Sequence, residues 1–292
     1  MKVSSGVSVS SVLIWKVQYQ AGSANLIPVE MPVAVHSLDQ ASHYLPPGAY
    51  TTLRTYPQRK VLHLEGHFRR LEDTAAMVDV PVTLDRSVVR QSLRQALAHF
   101  PEGVEARVRL TLDLDKPFPD LFILAEKLTL LPPVAYQQGV KAILCDLQRQ
   151  LPRAKLTRFI ERSNPLRQSL PPDVNEALMV GPQGDILEGL SSNFFGVRNE
   201  VIYTADDGVL AGTTRQMVLD GIDQLNLELQ CHPVRVSDLV YLTEAFITSA
   251  SRAILPVRQV AEYQIGPLCP GPVTRRLMTW FETRLGQVLE EI

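Results

Sequence analysis

Three short stretches between residues 154 and 215 hold side chains whose types and spacing could do chemistry. Lys155, in Ala154-Lys155-Leu156-Thr157, stands just after a proline-marked loop and just before a helical segment. A lysine at such a place is most often a surface charge. In a desolvated pocket its amine loses basicity and becomes a nucleophile toward a carbonyl. Glu188, in Ile186-Leu187-Glu188-Gly189, is a carboxylate at a strand end inside apolar sequence. It reads either as a rim residue or as a buried anion, and a buried anion requires a cationic partner. Leu210-Ala211-Gly212-Thr213-Thr214-Arg215 sets a glycine and two hydroxyls at a helix start. That is an ordinary N-cap or an anion site whose N–H groups and hydroxyls hold a phosphate.

An amine, a buried carboxylate and a phosphate cradle have one common explanation, which is pyridoxal phosphate. The amine joins the aldehyde, the carboxylate keeps the ring nitrogen protonated, and the helix start neutralises the 5′-phosphate. Other chemistries lack support. No GxGxxG, GxxxxGK[ST], HExxH or GxSxG pattern occurs, so dinucleotide, P-loop, zincin and nucleophile-elbow readings fall away. His63 and His67 have i, i+4 spacing but no third ligand stands out nearby, so a solvated or capping role is expected and no metal.

The elements that must position these groups follow from periodicity. A strand is expected over 51–56, and a helix over 66–78 with His67, Leu71, Ala75 and Val78 on one face. A second helix is expected over 86–100, with Val89, Leu93, Ala96, Leu97 and Phe100 at helical spacing. From Arg107 to Leu114 the chain alternates, with Val108, Leu110, Leu112 and Leu114 opposite Arg107, Arg109, Thr111 and Asp113. That is a strand with one apolar face. Beyond Pro132-Pro133 the run VKAILC reads as a strand and 157–169 as a helix. The segments EALMV, ILEG, NFFGV and VIYT read as short strands, with hairpin turns at Gly184-Asp185 and Asn199-Glu200. A helix starts near Thr213, strands cover 244–249 and 253–260, and a last helix covers about 271–290 with Val273, Leu277, Trp280, Phe281, Leu285 and Val288 in one stripe. Strands and helices thus mix throughout, which favours an α+β arrangement over a doubly wound parallel sheet. Two domains are expected, 1–131 and 138–292, joined by a linker at 132–137.

Composition bounds the function. The 292 residues include 29 Lys+Arg and 31 Asp+Glu, a net charge of −2, with 45% hydrophobic and 21% charged residues. No basic footprint for nucleic acid is present. No run reaches about 18 apolar residues, so no membrane span is expected. The first dozen residues, small and Ser-rich, lack the apolar stretch of a secretory signal. Cys145, Cys231 and Cys269 are odd in number and far apart, which suggests neither a disulfide framework nor zinc, and a cytoplasmic home.

With these residues in view the chain resembles the class IV (fold type IV) pyridoxal-phosphate aminotransferases, the group of branched-chain and D-amino acid aminotransferases and aminodeoxychorismate lyase. The resemblance runs from about Leu38 to Phe281. It is carried in order by GAYTTLRTY, HFRRLEDTA, PRAKLTRF, EALMVGPQGDILEGLSSNFFGV, VLAGTTRQMVL, EAFITSASRAILPV and GPVTRRL. It implies Lys155 as the Schiff-base lysine, Glu188 as the partner of the pyridine nitrogen, and Arg70, Thr213 and Thr214 as phosphate ligands. Ala250 and Ser251 match the segment beside the phosphate and the substrate carboxylate, and Ser192 and Asn193 lie in the cofactor-binding segment. Arg54 and Arg109 align with arginines near the substrate pocket. Gly189-Leu190-Ser191-Ser192-Asn193 replaces the GAGEN common in branched-chain enzymes and is closer to the D-amino acid type. The implied activity is amino transfer between an amino acid, of branched-chain L- or D-type, and a 2-oxo acid. A pyruvate-eliminating lyase and a non-catalytic binding protein are the rivals. Two α/β domains with the cofactor between them, and a homodimer, are also implied.

Overall fold

The structure, a computed structural model, describes residues 10–20, 23–116 and 118–292. The stretch read for a secretory signal lies mostly outside the described residues. The chain divides into two compact units. One holds residues 1–128, Lys155–Glu161 and Glu290–Ile292, and the other Thr129–Ala154 and Arg162–Leu289. Lys155 therefore belongs to the first unit. Residues 132–137, read as a linker, mostly enter the short helix Pro133–Gln138.

The first unit is a five-stranded antiparallel sheet with helices. In chain order its elements are β1 (Val12–Gln20), β2 (Ser23–Pro28), α1 (Leu38–Ser42), β3 (Gly48–Arg54), β4 (Val61–Leu62), α2 (Leu64–Ala76), α3 (Arg86–Leu97), β5 (Ala106–Asp113) and β6 (Leu121–Lys127). The sheet order is β2-β1-β6-β5-β3. The register sets Thr52 opposite Arg109 and Arg54 opposite Arg107. Alternation then sends Val108, Leu110, Leu112, Leu53, Ile123 and Ala125 into one core with Leu64, Phe68 and Leu71 of α2 and Val89, Leu93 and Leu97 of α3. Asp85 caps α3, its carboxylate accepting from the N–H groups of Ser87 and Val88, so the helix begins at Arg86 as expected.

The polar face of β5 is a finding. Arg109, Thr111 and Asp113 are buried as fully as their apolar neighbours. The alternation of the sequence predicts one apolar face for this strand and is silent on burial of the other. A second cluster of Val12, Ile14, Val35, Leu38, Ala41 and Leu45 with Phe122 and Leu124 accounts for the difference, because it packs on β1 and β6 and includes α1.

The second unit contains α4 (Pro133–Gln138), β7 (Val140–Cys145), most of α5 (Arg158–Gln168), β8 (Val174–Val180), β9 (Asp185–Gly189), β10 (Asn193–Arg198), β11 (Val201–Tyr203), α6 (Thr213–Gln224), β12 (Leu229–Gln230), β13 (Val234–Arg235), β14 (Glu244–Ser249), β15 (Ala253–Val260), β16 (Tyr263–Gln264) and α7 (Pro272–Val288). β7 pairs in parallel with β8 and β15, and β14 pairs antiparallel with β10 and β15. Pairing of β9 with β10 turns β10-β14-β15-β7-β8-β9 into a closed ring. The rung that closes it is Asn193 opposite Glu188. Phe195 and Phe246 face each other across β10 and β14 with rings stacked at 4.8 Å. Such a pair contributes about 0.5–1.5 kcal/mol beyond its burial. The Asn199-Glu200 turn has both residues at positive φ, 51° and 65°, the twist a two-residue hairpin demands. α6 and α7 approach closely because Gly221 lacks a Cβ; one there would lie 2.5 Å from the Trp280 ring. Glu244 of β14 accepts from the N–H groups of Val273 and Thr274, satisfying the start of α7 from outside the helix.

Candidate active site

In the first unit the chain around Lys155 is sewn to the sheet edge. Ala49 and Leu156 form a bridge, the Tyr50 N–H donates to the Lys155 carbonyl at 2.9 Å, and the Gly48 N–H donates to Thr157 Oγ1 at 2.8 Å. The Lys155 N–H donates to Thr74 Oγ1 of α2 at 3.2 Å. Gly48 is obligatory here, since a Cβ would meet the Leu112 carbonyl oxygen. These bonds hold the backbone, and the side chain of Lys155 crosses the face of Tyr50 with Nζ 4.7 Å from the ring centroid.

Behind it lies His67, buried on α2, with Nδ1 2.7 Å from Thr51 Oγ1. Burial pushes the His67 imidazole well below its ordinary value, and the positive charges of Arg70 and Lys155 push it further. Arg70 and Lys155 are thus gathered around one neutral imidazole, a concentration of positive charge suited to an anion. His67 remains neutral in the fold and protonates near pH 6.5 when unfolded. The folded state therefore binds fewer protons below that value, and stability falls as pH drops from the unfolded value toward the folded one. His67→Gln is expected to remove one proton from the acid limb of a stability-against-pH curve. An acid limb below the unfolded value that is unchanged in His67→Gln would refute the assignment.

The two arginines of this unit expected near the substrate pocket, Arg109 and Arg54, are committed to neighbours. Arg109 donates to Thr52 Oγ1 at 3.2 Å, the Leu38 carbonyl at 2.9 Å, Ser42 Oγ at 2.7 Å and Asp39 Oδ1 at 2.6 Å. It also lies 4.8 Å from the Tyr50 ring centroid. Arg54 pairs with Glu105 and stacks on Tyr56. Arg109 and Lys155 thus meet on Tyr50, whereas Arg54 is held at the far end of β3.

In the second unit Glu188 is 2% exposed. Its Oε1 accepts from Arg149 Nε at 2.7 Å, and its Oε2 accepts from Asn193 Nδ2 and the Leu210 N–H, each at 3.1 Å. The Arg149 side chain is itself 4% exposed. Three donors on one buried carboxylate favour the ionised form. The cationic partner that burial of Glu188 requires is Arg149, which no sequence motif singled out.

Asn193 also donates to the Leu210 carbonyl at 2.8 Å, tying Glu188 to the loop that enters α6. The helix N-cap is Gly212, so no side chain caps the first turn at Thr213 and Thr214. Its leading N–H groups are the orphans that suit a phosphate. A Cβ on Gly212 would lie 2.2 Å from Asn193 Oδ1. Gly212→Ala is expected to displace the Asn193 amide and cost about 1–3 kcal/mol, read as a lower unfolding midpoint. An unchanged midpoint would contradict this.

Ser192 donates to Glu176 Oε2 at 2.9 Å. Ala250 and Ser251 occupy the half-buried turn between β14 and β15. His63 sits at the N-cap position of α2, in a left-handed backbone conformation and with no side-chain capping bond, rather than within the helix. Among the described residues no three His, Cys, Asp or Glu side chains cluster as metal ligands. No helix among them is long and apolar enough to cross a membrane.

Residues 48–260 match the model of the amino-transferase class IV family. The chain belongs to this family. Being a class IV aminotransferase, it is a transferase of amino groups, and the family implies pyridoxal phosphate as cofactor. It is similar to a branched-chain-amino-acid aminotransferase of Pseudomonas aeruginosa, 25% identical over 263 residues covering 83% of this chain and 85% of the relative. A D-alanine aminotransferase of Bacillus licheniformis is 26% identical over 245 residues, covering 80% and 85%. The class IV aminotransferase shares its fold with the branched-chain aminotransferase of the archaeon Thermoproteus uzoniensis solved with norvaline. That likeness has a TM-score of 0.74 at 20% identity and covers 95% and 98% of the two chains. The α+β, fold type IV reading of the sequence is borne out.

Proposed function

We propose that this class IV aminotransferase uses pyridoxal 5′-phosphate to move an amino group between a branched-chain or D-type amino acid and a 2-oxo acid, in two half-reactions. The observation that carries the reading is Glu188, a buried carboxylate that accepts from Arg149, Asn193 and the Leu210 N–H. An anion so fixed suits a protonated pyridine nitrogen. The cations Arg70 and Lys155, and the uncapped start of α6, suit a phosphate ester. The residues present therefore fit the group.

In this reading Arg70, Thr213, Thr214 and the Ala250-Ser251 turn hold the phosphate. Glu188, supported by Asn193, fixes the ring nitrogen, and Ser192 lies in the same cofactor-binding segment. Bound there, pyridoxal phosphate supplies an electron sink for the bonds at the substrate Cα. Lys155 Nζ would hold the cofactor and would move the proton at the substrate Cα. Tyr50 beneath Nζ limits the directions from which the amine can approach. Ala250 and Ser251 also meet the substrate carboxylate. Arg54 and Arg109 stand on the substrate side, Arg109 acting through its hold on α1 and Tyr50.

A panel of L- and D-amino donors with 2-oxoglutarate and pyruvate as acceptors tests the reading. Amino transfer without pyruvate elimination is expected. Elimination of pyruvate from aminodeoxychorismate, with no transfer, would overturn it. The protein is expected to sit in the cytoplasm and to work as a homodimer.

A further inference from the structure

Beside Glu188 the second unit contains a second buried carboxylate that the chemistry above does not use. Glu176, on β8, is 2% exposed. Its Oε2 accepts from Ser191 Oγ at 2.7 Å, Ser192 Oγ at 2.9 Å and Arg252 Nη2 at 2.8 Å. Burial raises the Glu176 carboxyl, but Arg252 and Arg167 outweigh it and hold the group below its usual range.

Arg252 uses all three nitrogens. Nε donates to Ser249 Oγ at 3.0 Å, Nη1 to Asn175 Oδ1 at 2.9 Å, and Nη2 to Glu176 and to Ser191 Oγ at 2.7 Å. Its own carbonyl accepts from the Tyr136 hydroxyl at 3.2 Å. Arg167 fixes the neighbouring turn, donating to the Leu190 carbonyl at 2.6 Å. The guanidinium therefore joins two backbone turns. One, at 190–192, leads from Glu188 to Asn193. The other, at 249–252, holds Ala250 and Ser251. Gly189 permits the close approach, because a Cβ there would lie 2.3 Å from Ser192 Oγ and 2.8 Å from Glu176 Cγ.

We propose that Arg252, braced by Glu176, is a positioning residue that fixes the Ala250-Ser251 turn for the substrate carboxylate. This rests on the aminotransferase reading of the same site. The physical reason is geometric: one planar fork meets four acceptors on β8, β14 and the 190–192 turn. A point charge could neutralise Glu176, yet it could not span all four. A turn that meets the substrate carboxylate depends on such bracing, since small displacements in a binding geometry are costly.

The test is steady-state kinetics of the cofactor-loaded enzyme with Arg252→Met, Arg252→Lys and Glu176→Gln, alongside borohydride trapping of cofactor on the protein. The KM for amino donor and for 2-oxo acid is expected to rise about tenfold in Arg252→Met, with kcat within about twofold and trapping unchanged. Arg252→Lys, which keeps the charge without the fork, is expected to recover only part of the loss. It carries the test if Arg252→Met fails to fold. A KM that stays at the wild-type value in folded variants overturns the proposal. So does a parallel loss of kcat and trapped cofactor. A wild-type protein that transfers no amino group at all overturns the parent reading together with this one, so the two failures are distinguishable.

Discussion

Lys155→Ala is expected to lower amino transfer by about 10²–10⁴-fold while the protein stays folded. The fold should survive because the bonds that hold this segment are made by backbone. The Lys155 N–H reaches Thr74 Oγ1, and its carbonyl accepts from Tyr50. Both persist in an alanine. What disappears is Nζ above the Tyr50 ring, the amine proposed to anchor the cofactor and move the Cα proton. Rates in the presence of saturating pyridoxal phosphate, together with the unfolding midpoint, check this. A folded Lys155→Ala protein working within about tenfold of wild type would remove lysine from the chemistry.

The second large effect concerns Glu188, where stability and activity should fall together. Glu188→Ala takes the carboxylate away from Arg149, whose side chain is 4% exposed. Breaking a buried ion pair at one partner costs about 3–5 kcal/mol, or roughly 6–20 °C in midpoint for a domain of this size. The loss also reaches Asn193 and the Leu210 N–H, which share Oε2, and so loosens the start of α6. Arg149→Met should destabilise by a similar amount. Replacing both, as Glu188→Leu with Arg149→Met, is expected to recover most of the stability and none of the activity. That outcome separates the cost of an orphaned charge from the chemical role of the carboxylate. If the double variant regains activity, Glu188 has only a structural part.

Much of this was legible in the sequence where one physical cause decided the pattern. The alternation from Arg107 to Leu114 appears as β5, because one side of the sheet is a continuous apolar core. The stripes through Leu71 and Leu93 appear as α2 and α3, and the strands at 244–249 and 253–260 keep their expected limits. β1 escaped the reading because it is buried on both faces. Val12 and Ile14 enter one cluster and Trp15 and Val17 the other, so no period of two survives. The helices at 66–78 and 86–100 end early, with Val78 and Phe100 past the last turn. There apolar spacing continued after the backbone had turned away.

For the candidate site, the sequence pointed to isolated residues and left out their supports. It asked for a cation beside Glu188, yet among many arginines only the fold selects Arg149. Tyr50, the surface beneath Lys155, lies about a hundred residues away in sequence and is brought there by the bridge from Ala49 to Leu156. Glu176 and Arg252 each lie in a carrying segment, EALMV and EAFITSASRAILPV, but nothing in either segment shows that the two residues pair; their meaning comes from the turns they join. Long-range pairing of this kind is invisible to local spacing.

The central claim is that Lys155 is the amine to which pyridoxal phosphate becomes attached. The most direct measurement is to load the purified protein with the cofactor, reduce it with borohydride, digest it and locate the added phosphopyridoxyl mass by peptide sequencing. The account predicts one modified peptide, with the mass on Lys155 and none in Lys155→Ala. Attachment at another lysine, or an active protein that carries no attached cofactor, would contradict it.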